Sequence, residues 1–307
     1  MQHADRDTRW MLAGGAVLAI AVVCGSLALA GVRLDDRDAA VPAASPGERA
    51  RQGLAEKVAR LRASASALQT AHPEVPQYAT IADRAKAYSA AVGGVWRPWP
   101  SGAPSGRTNP PVATAAPVGV DGASLVAQLQ DVSASALAAS SKAPEGDRAS
   151  YASIALGSRL TAIDASPVLG GRASCGTAHP AAAGSSAANG DSVRVAEAAR
   201  QWLQTDAAQL APAQRSRQTA RIESVARLQS SMLAAGDPDG RPGPAAPPAL
   251  SGGATLTGRA LSALTAQLLL ASSKADASGR EAVVAYACSL YLTPAERASA
   301  GALPGSG

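Results

Sequence analysis

Two cysteine residues offer the clearest chemistry in this 307-residue sequence. The chain contains three cysteines; Cys24 lies in an apolar run near the amino terminus, which leaves Cys175 and Cys288 for the rest of the chain. In an oxidising compartment these two side chains can form a disulfide bond. Closing the long loop between them would stabilise the fold by about 4–5 kcal/mol if the effect is entropic. The alternative is that they remain two separate buried thiols.

Histidines and nucleophiles show no spacing typical of catalysis. Of the three histidines, His72 and His179 lie in proline-containing breaks, and neither has a carboxylate or cysteine at metal-ligand spacing on a helix. The sequence contains no Gly-x-Ser-x-Gly, Ser-x-x-Lys, Gly-x-x-x-x-Gly-Lys or Glu-x-x-His motif. We therefore predict no catalytic residues, no cofactor and no metal ligands, which favours a protein that is not an enzyme.

Arginine side chains are densest between residues 215 and 227. Arg217 and Arg221 are four residues apart in a predicted helix and so share one face. This pair could contact phosphate or an acidic polymer, whereas the more ordinary interpretation is a solvated helix face. The net charge of the whole chain is only +5, with no dense basic arm, so we predict no nucleic-acid partner.

Two tryptophans stand out in a proline-rich stretch. Trp96 and Trp99 are separated by an arginine and a proline, in the order Trp-Arg-Pro-Trp-Pro. Both could contact a partner protein, and we predict them as candidate partner-contact residues together with Arg217 and Arg221. The alternative is that the two indoles cover the end of neighbouring helices.

An uncharged run near the amino terminus predicts a membrane helix. Residues 10–32 contain no charged residue, and a helix of this length spans roughly 34 Å, enough for a bilayer core of about 30 Å. We predict a single N-terminal helix in the cell membrane, within a segment comprising residues 1–32, with the C-terminal part outside the cytoplasm. The alternatives are a secretory signal cleaved after Ala30 and a lipoprotein signal that uses Cys24.

Helix-forming patterns fill most of the remaining sequence. Alanine is abundant and phenylalanine is absent; alanine is the strongest helix former and leaves room for close helix packing. Residues 45–94 predict a helical hairpin, with a capping box at its start and a proline break at His72. Residues 95–120 contain six prolines and predict an extended linker.

The C-terminal half of the sequence predicts further antiparallel hairpins. Residues 121–293 form an alanine-rich region in which apolar residues recur at spacings of three and four. Within this region we predict loops at residues 168–190 and 237–253, and we predict a flexible tail at residues 294–307. The predicted fold class is all-α: a membrane helix followed by antiparallel hairpins that form a bundle.

A short internal repeat connects two of the predicted hairpins. The sequence Ala-Ser-Ser-Lys-Ala occurs at residues 139–143 and again at residues 271–275, and Arg148 then falls in register with Arg280. Each copy lies at the turn of a hairpin. Either an old duplication of a helix pair or chance in a chain rich in alanine and serine explains the match.

Part of this sequence resembles a group of exported or lipoprotein-like actinobacterial proteins. The resemblance lies in the helix that ends at His72, the following helix to Gly94 and the segment 95–102. These proteins carry a ferritin-like helical domain of unknown function. The resemblance implies a four-helix bundle and a location in the cell envelope. It does not extend to the metal chemistry, because a di-iron bundle needs Glu-x-x-His pairs and this sequence contains none.

These patterns favour an envelope-anchored or exported helical protein that binds or scaffolds without catalysis. Besides the membrane contacted through residues 10–32, the expected partners are another envelope protein or an anionic cell-wall polymer. One alternative is a divergent ferritin-like metal-binding protein or enzyme whose ligands the sequence does not identify. Another is a regulatory partner of a second membrane protein.

Overall fold

The computed structural model describes residues 44–99, 108–241, 243–250 and 254–305. In these ranges the regular secondary structure is helical and includes no strand, which confirms the all-α prediction. The predicted membrane segment at residues 10–32 lies outside the described residues. Among the helices that are described, none is long and apolar enough to span a bilayer.

Ten α-helices make up the described part of the chain. In chain order they are α1 Pro46–Ala71, α2 Pro76–Ala91, α3 Gly122–Ser140, α4 Glu145–Leu169, α5 Pro180–Ser186, α6 Ser192–Ala207, α7 Pro212–Ala234, α8 Leu256–Ala271, α9 Ala277–Ser289 and α10 Pro294–Ser299. A 3₁₀ turn at Ser272–Lys274 joins α8 to α9.

Several helices begin at polar residues that cap their free backbone N–H groups. The side chain of Ser45 accepts a hydrogen bond from the Glu48 backbone nitrogen at the start of α1. Asp121 at α3 and Thr293 at α10 each form a reciprocal capping box with the residue three positions later. Because such caps depend on residues close in sequence, they fix where each helix starts before any tertiary contact forms.

Alanine and leucine dominate the core between the helices. The buried cluster draws side chains from α1 to α9, and its largest fully buried members include Tyr88 and Tyr286. Long polar side chains connect neighbouring helices at the edge of this core. Arg51 of α1 donates from Nη1 to the carbonyl oxygen of Val92, just after α2, at 2.6 Å, and Lys57 of α1 pairs with Asp131 of α3 at 2.7 Å.

Residues 294–305 do not form the flexible tail that the sequence predicted. They contain α10 and then pack against α4. Arg297 pairs with Asp164 through Nε and Oδ1 at 2.6 Å, and the Ser153 hydroxyl donates to the Pro304 carbonyl oxygen at 2.8 Å. The short sequence after Pro294 carries little apolar periodicity, so its order depends on these contacts with a distant helix.

The loop predicted at residues 168–190 is also partly helical. Helix α4 continues to Leu169, and α5 occupies Pro180–Ser186. Within α5, Gly184 lies so close to the backbone of α7 that a Cβ atom there would come 2.6 Å from the Leu228 carbonyl oxygen. The small residues of this segment, which in the sequence favoured a loop, therefore allow α5 and α7 to pack closely.

The internal repeat corresponds to two similar hairpin turns. The Ser140 hydroxyl donates to the Leu137 carbonyl oxygen at 2.7 Å, and 132 residues later the Ser272 hydroxyl donates to the Leu269 carbonyl oxygen at 2.8 Å. The guanidinium groups of Arg148 and Arg280 each donate to the carbonyl oxygen five residues earlier. The two turns therefore share hydrogen bonds as well as residues.

Candidate functional site

A cleft of about 580 Å³ lies between the end of α6, the first half of α7, the first turns of α8, and α10. Its size is in the usual range for a small-molecule site. The residues that line it are Asp206, Leu210, Gln214, Arg217, Gln218, Arg221, Ala254, Thr255, Thr257, Gly258, Arg259, Ser262, Leu292, Thr293, Ala295, Glu296 and Ser299.

A chain of hydrogen-bonded polar side chains connects the helices around the cleft. The Thr257 hydroxyl donates to Oδ2 of Asp206 at 2.8 Å. Gln218 donates from Nε2 to the Thr257 hydroxyl oxygen at 2.6 Å and accepts, through Oε1, from Nη1 of Arg221 at 2.6 Å. This chain fixes the side chains of α6, α7 and α8 relative to each other.

Arg221 ends this chain and is one of the arginines singled out by the sequence. Its Nη2 lies 2.8 Å from each carboxylate oxygen of Glu296, and Glu296 also accepts from the backbone nitrogens of Leu292 and Thr293. The residue is only 5% exposed, so the solvated-face interpretation is wrong at this position. Its Nε is buried and has no hydrogen-bond partner within the described ranges.

The outer part of the cleft carries two exposed guanidinium groups, on Arg217 and Arg259. Neither makes a hydrogen bond or ion pair with another described residue. Helix α8 begins at the same wall, where the Thr255 hydroxyl oxygen accepts from the Gly258 nitrogen at 3.0 Å. The amino-terminal end of a helix carries partial positive charge, so this wall of the cleft favours an anion.

The two cysteines predicted to pair are bonded, with Cα atoms 5.4 Å apart. Cys175 lies in the loop after α4, and Cys288 is fully buried in α9. Arg159 of α4 reinforces this connection because it donates to the Cys175 carbonyl oxygen at 3.1 Å and pairs with Glu281 of α9 at 2.7 Å. The cysteines therefore hold a loop against a core helix, and neither lines the cleft.

The tryptophans Trp96 and Trp99 lie in the segment after α2, and neither lines the cleft. Side-chain amides hold the backbone of both: the Trp96 nitrogen donates to Gln52 at 2.9 Å, and the Trp99 nitrogen donates to Asn109 at 3.0 Å. The Trp96 side chain remains 48% exposed. The structure thus separates the tryptophans from Arg217 and Arg221 as two different surfaces.

Within the described ranges, no group of three or more His, Cys, Asp or Glu side chains is placed to hold a metal ion. His72 is instead 3.5 Å from the Glu74 carboxylate through Nδ1 and lies beside the Tyr78 ring. No ligand set for the ferritin-like alternative is identified in these ranges.

Sequence patterns missed most of the residues that build the cleft. Asp206, Gln218 and Thr257 lie on three different helices, and no local spacing connects them. For Glu296 the sequence does contain a local indication, because Thr-Pro-Ala-Glu at residues 293–296 matches a helix capping box. That motif would have predicted α10, although not its contact with Arg221.

Comparison with known proteins gives no match for this chain among family models, curated proteins or solved structures. The resemblance to exported actinobacterial proteins therefore stays a prediction.

Proposed function

We propose that this chain is a non-catalytic binding protein of the cell envelope, and that its cleft takes an anionic envelope component such as a cell-wall polymer. The observation that carries this proposal is the pair of exposed guanidinium groups, Arg217 and Arg259, that line the cleft without a partner among the described residues. Guanidinium groups are well suited to bind carboxylate or phosphate oxygens through two parallel hydrogen bonds.

The guanidinium groups of the cleft outnumber its carboxylates. Arg217, Arg221 and Arg259 line it, against Asp206 and Glu296. Glu296 is paired with the buried Arg221, so Arg217 and Arg259 are the exposed cationic groups that an anion entering the cleft meets.

The envelope location rests on the sequence and on the cysteine pair. Residues 10–32 supply an apolar segment that would anchor the chain in the membrane, with a secreted protein or a lipoprotein as alternatives. A disulfide bond is favoured where the C-terminal part faces an oxidising compartment. In this proposal the hairpins form an antiparallel bundle that holds the cleft outside the cytoplasm.

The binding test uses the full-length chain in phosphatidylcholine nanodiscs and purified poly(glycerol phosphate) as the anionic polymer. We expect the double variant Arg217→Gln/Arg259→Gln to bind at least tenfold more weakly, because hydrogen bonds to charged groups contribute roughly 1.5–3 kcal/mol each. Arg62→Gln/Arg227→Gln is the matched control, since both arginines are exposed but do not line the cleft. Equal loss in both variants would mean that only overall charge matters.

A reporter enzyme that folds only outside the cytoplasm tests the location. Fused to the carboxyl end of the full chain, it is expected to be active in growing cells. Activity restricted to a cytoplasmic reporter would contradict the proposed orientation.

A further inference from the structure

Leu292 is the most informative residue of the cleft wall, because its counterpart in the other half of the repeat behaves differently. The two hairpins are related by an offset of 132 residues in sequence. With this offset, Leu160 corresponds to Leu292 and Thr161 corresponds to Thr293. Leu160 is 0% exposed within α4, whereas Leu292 is 43% exposed and lines the cleft. The same residue type at an equivalent position is therefore buried in one copy and left open in the other.

A break in the helix of the second copy explains the difference. Helix α4 runs without interruption from Glu145 to Leu169, but α9 ends at Ser289 and α10 starts only at Pro294. The residue that corresponds to Pro294 in α4 is Ala162, which supports a continuous helix where proline does not. The cleft therefore exists where the second hairpin departs from the first.

The cleft wall combines this apolar surface with the cationic one. Leu210, Ala254 and Ala295 lie in the lining together with Leu292, and Arg217 and Arg259 belong to the same cavity. Arg221, more than nine-tenths buried in the lining, already donates to Gln218 and Glu296, so the two exposed arginines are the cationic groups left for a ligand.

From these features we infer that the ligand is an amphiphilic oxyanion, with a phosphate or carboxylate group attached directly to an apolar chain. The anionic group binds Arg217 and Arg259, and the apolar chain lies against Leu292 and Leu210. A purely polar polymer would leave Leu292 exposed to water. This inference rests on the proposed function and narrows its anionic envelope component to one that carries an apolar chain next to the charged group.

Two phosphate monoesters of equal charge test the inference by calorimetric titration of the full chain in phosphatidylcholine nanodiscs, with empty discs subtracted. Butyl phosphate is expected to bind at least tenfold more tightly than methyl phosphate, because each buried methylene contributes about fourfold in affinity. Butanol, which lacks the charge, is expected not to bind measurably.

Two leucine variants locate the effect. Leu292→Ser is expected to reduce the preference for butyl phosphate to less than threefold. Leu270→Ser is the matched control, since Leu270 is also exposed, on α8, but outside the cleft; this variant should keep the full preference.

The outcomes separate this inference from the proposed function. If both esters bind equally, or if Leu292→Ser keeps the preference, the amphiphile inference is wrong, while a loss of binding in Arg217→Gln/Arg259→Gln would still support an anion site. If the arginine variant binds both esters as tightly as the native chain, the cleft is not the anion site and both proposals fail.

Discussion

Arg148 and Arg280 occupy equivalent positions in two helical hairpins, and each guanidinium group contacts the turn of the other hairpin. Arg148 donates from Nη1 to the Ser273 carbonyl oxygen at 3.0 Å. Arg280 donates to the hydroxyl oxygens of Ser140 and Ser141, each at 2.9 Å. The two similar turns are thus joined by a reciprocal exchange of hydrogen bonds.

Removal of Arg280 should destabilise the fold more than removal of an exposed arginine. Arg280 is almost fully buried, and burial lowers the pKa of its guanidinium. Because the Ser140 and Ser141 hydroxyl oxygens would lose the donor that Arg280 supplies, we expect Arg280→Ala to lower the free energy of unfolding by about 2–3 kcal/mol. Chemical denaturation measures this, with Arg227→Ala as the control; a cost below about 0.5 kcal/mol would contradict the role assigned to the turn.

Loss of the disulfide bond should produce a large loss of stability. The bonded cysteines are 113 positions apart in sequence, and the chain-entropy relation gives about 4–5 kcal/mol for such a loop. We expect Cys175→Ser/Cys288→Ser to lower the unfolding free energy by this order. Cys24→Ser is the control and should have little effect on the same transition. Alkylation of Cys175 and Cys288 in the unreduced, unfolded chain would show that the bond is absent.

Glu197 should make stability depend on acid pH. The hydrogen bond from Arg200 holds the pKa of this carboxyl at about 2, against an ordinary value of 4.5. Since the pKa is lower in the folded chain, the stabilisation is fully present above about 4.5 and is lost as the pH falls toward 2. We expect Glu197→Gln to reduce the difference in denaturation midpoint between pH 6 and pH 3. The exposed Glu223→Gln variant should retain it.

Asp237, in contrast to Glu197, should make the folded chain less stable as the pH rises. Burial raises the pKa of this carboxyl more than the nearby backbone N–H groups of Asn189 and Val193 lower it, and neither carboxylate oxygen has a hydrogen-bond partner of good geometry in the described part of the chain. A raised folded pKa means that stability decreases as the pH rises through it. We expect Asp237→Asn to increase the unfolding free energy at pH 7 by about 1 kcal/mol, with a smaller gain at pH 4. Destabilisation at pH 7 would indicate that the carboxylate has a required role.

Gly157 should be needed for the packing of the C-terminal segment. A Cβ atom at this position would collide with the Ala302 carbonyl oxygen and come 3.0 Å from the Tyr88 hydroxyl. We expect Gly157→Ala to cost about 2 kcal/mol or more, because overpacking displaces residues 302–304. Gly53→Ala is the matched control, since a Cβ there meets no atom within 4 Å. In that exposed helix position alanine should add about 0.5–1 kcal/mol of stability.

The helical nature of this protein and the residues that start its helices could be predicted from the sequence. Apolar spacing and capping residues act over three or four positions, so Ser45 at α1 and Thr255 at α8 mark their helices locally. The cysteine pair could also be proposed, because only Cys175 and Cys288 remain outside the apolar run.

Burial of the charged residues, however, was decided only by the tertiary structure. Arg217 and Arg221 share a helix face, yet Arg217 is exposed and Arg221 is covered by Glu296, 75 positions away in sequence. Helical periodicity identifies which side chains share a face, but the element that covers that face comes from a distant part of the chain. Here that element is α10, whose position depends on contacts with α4 and α7 rather than on its own six residues.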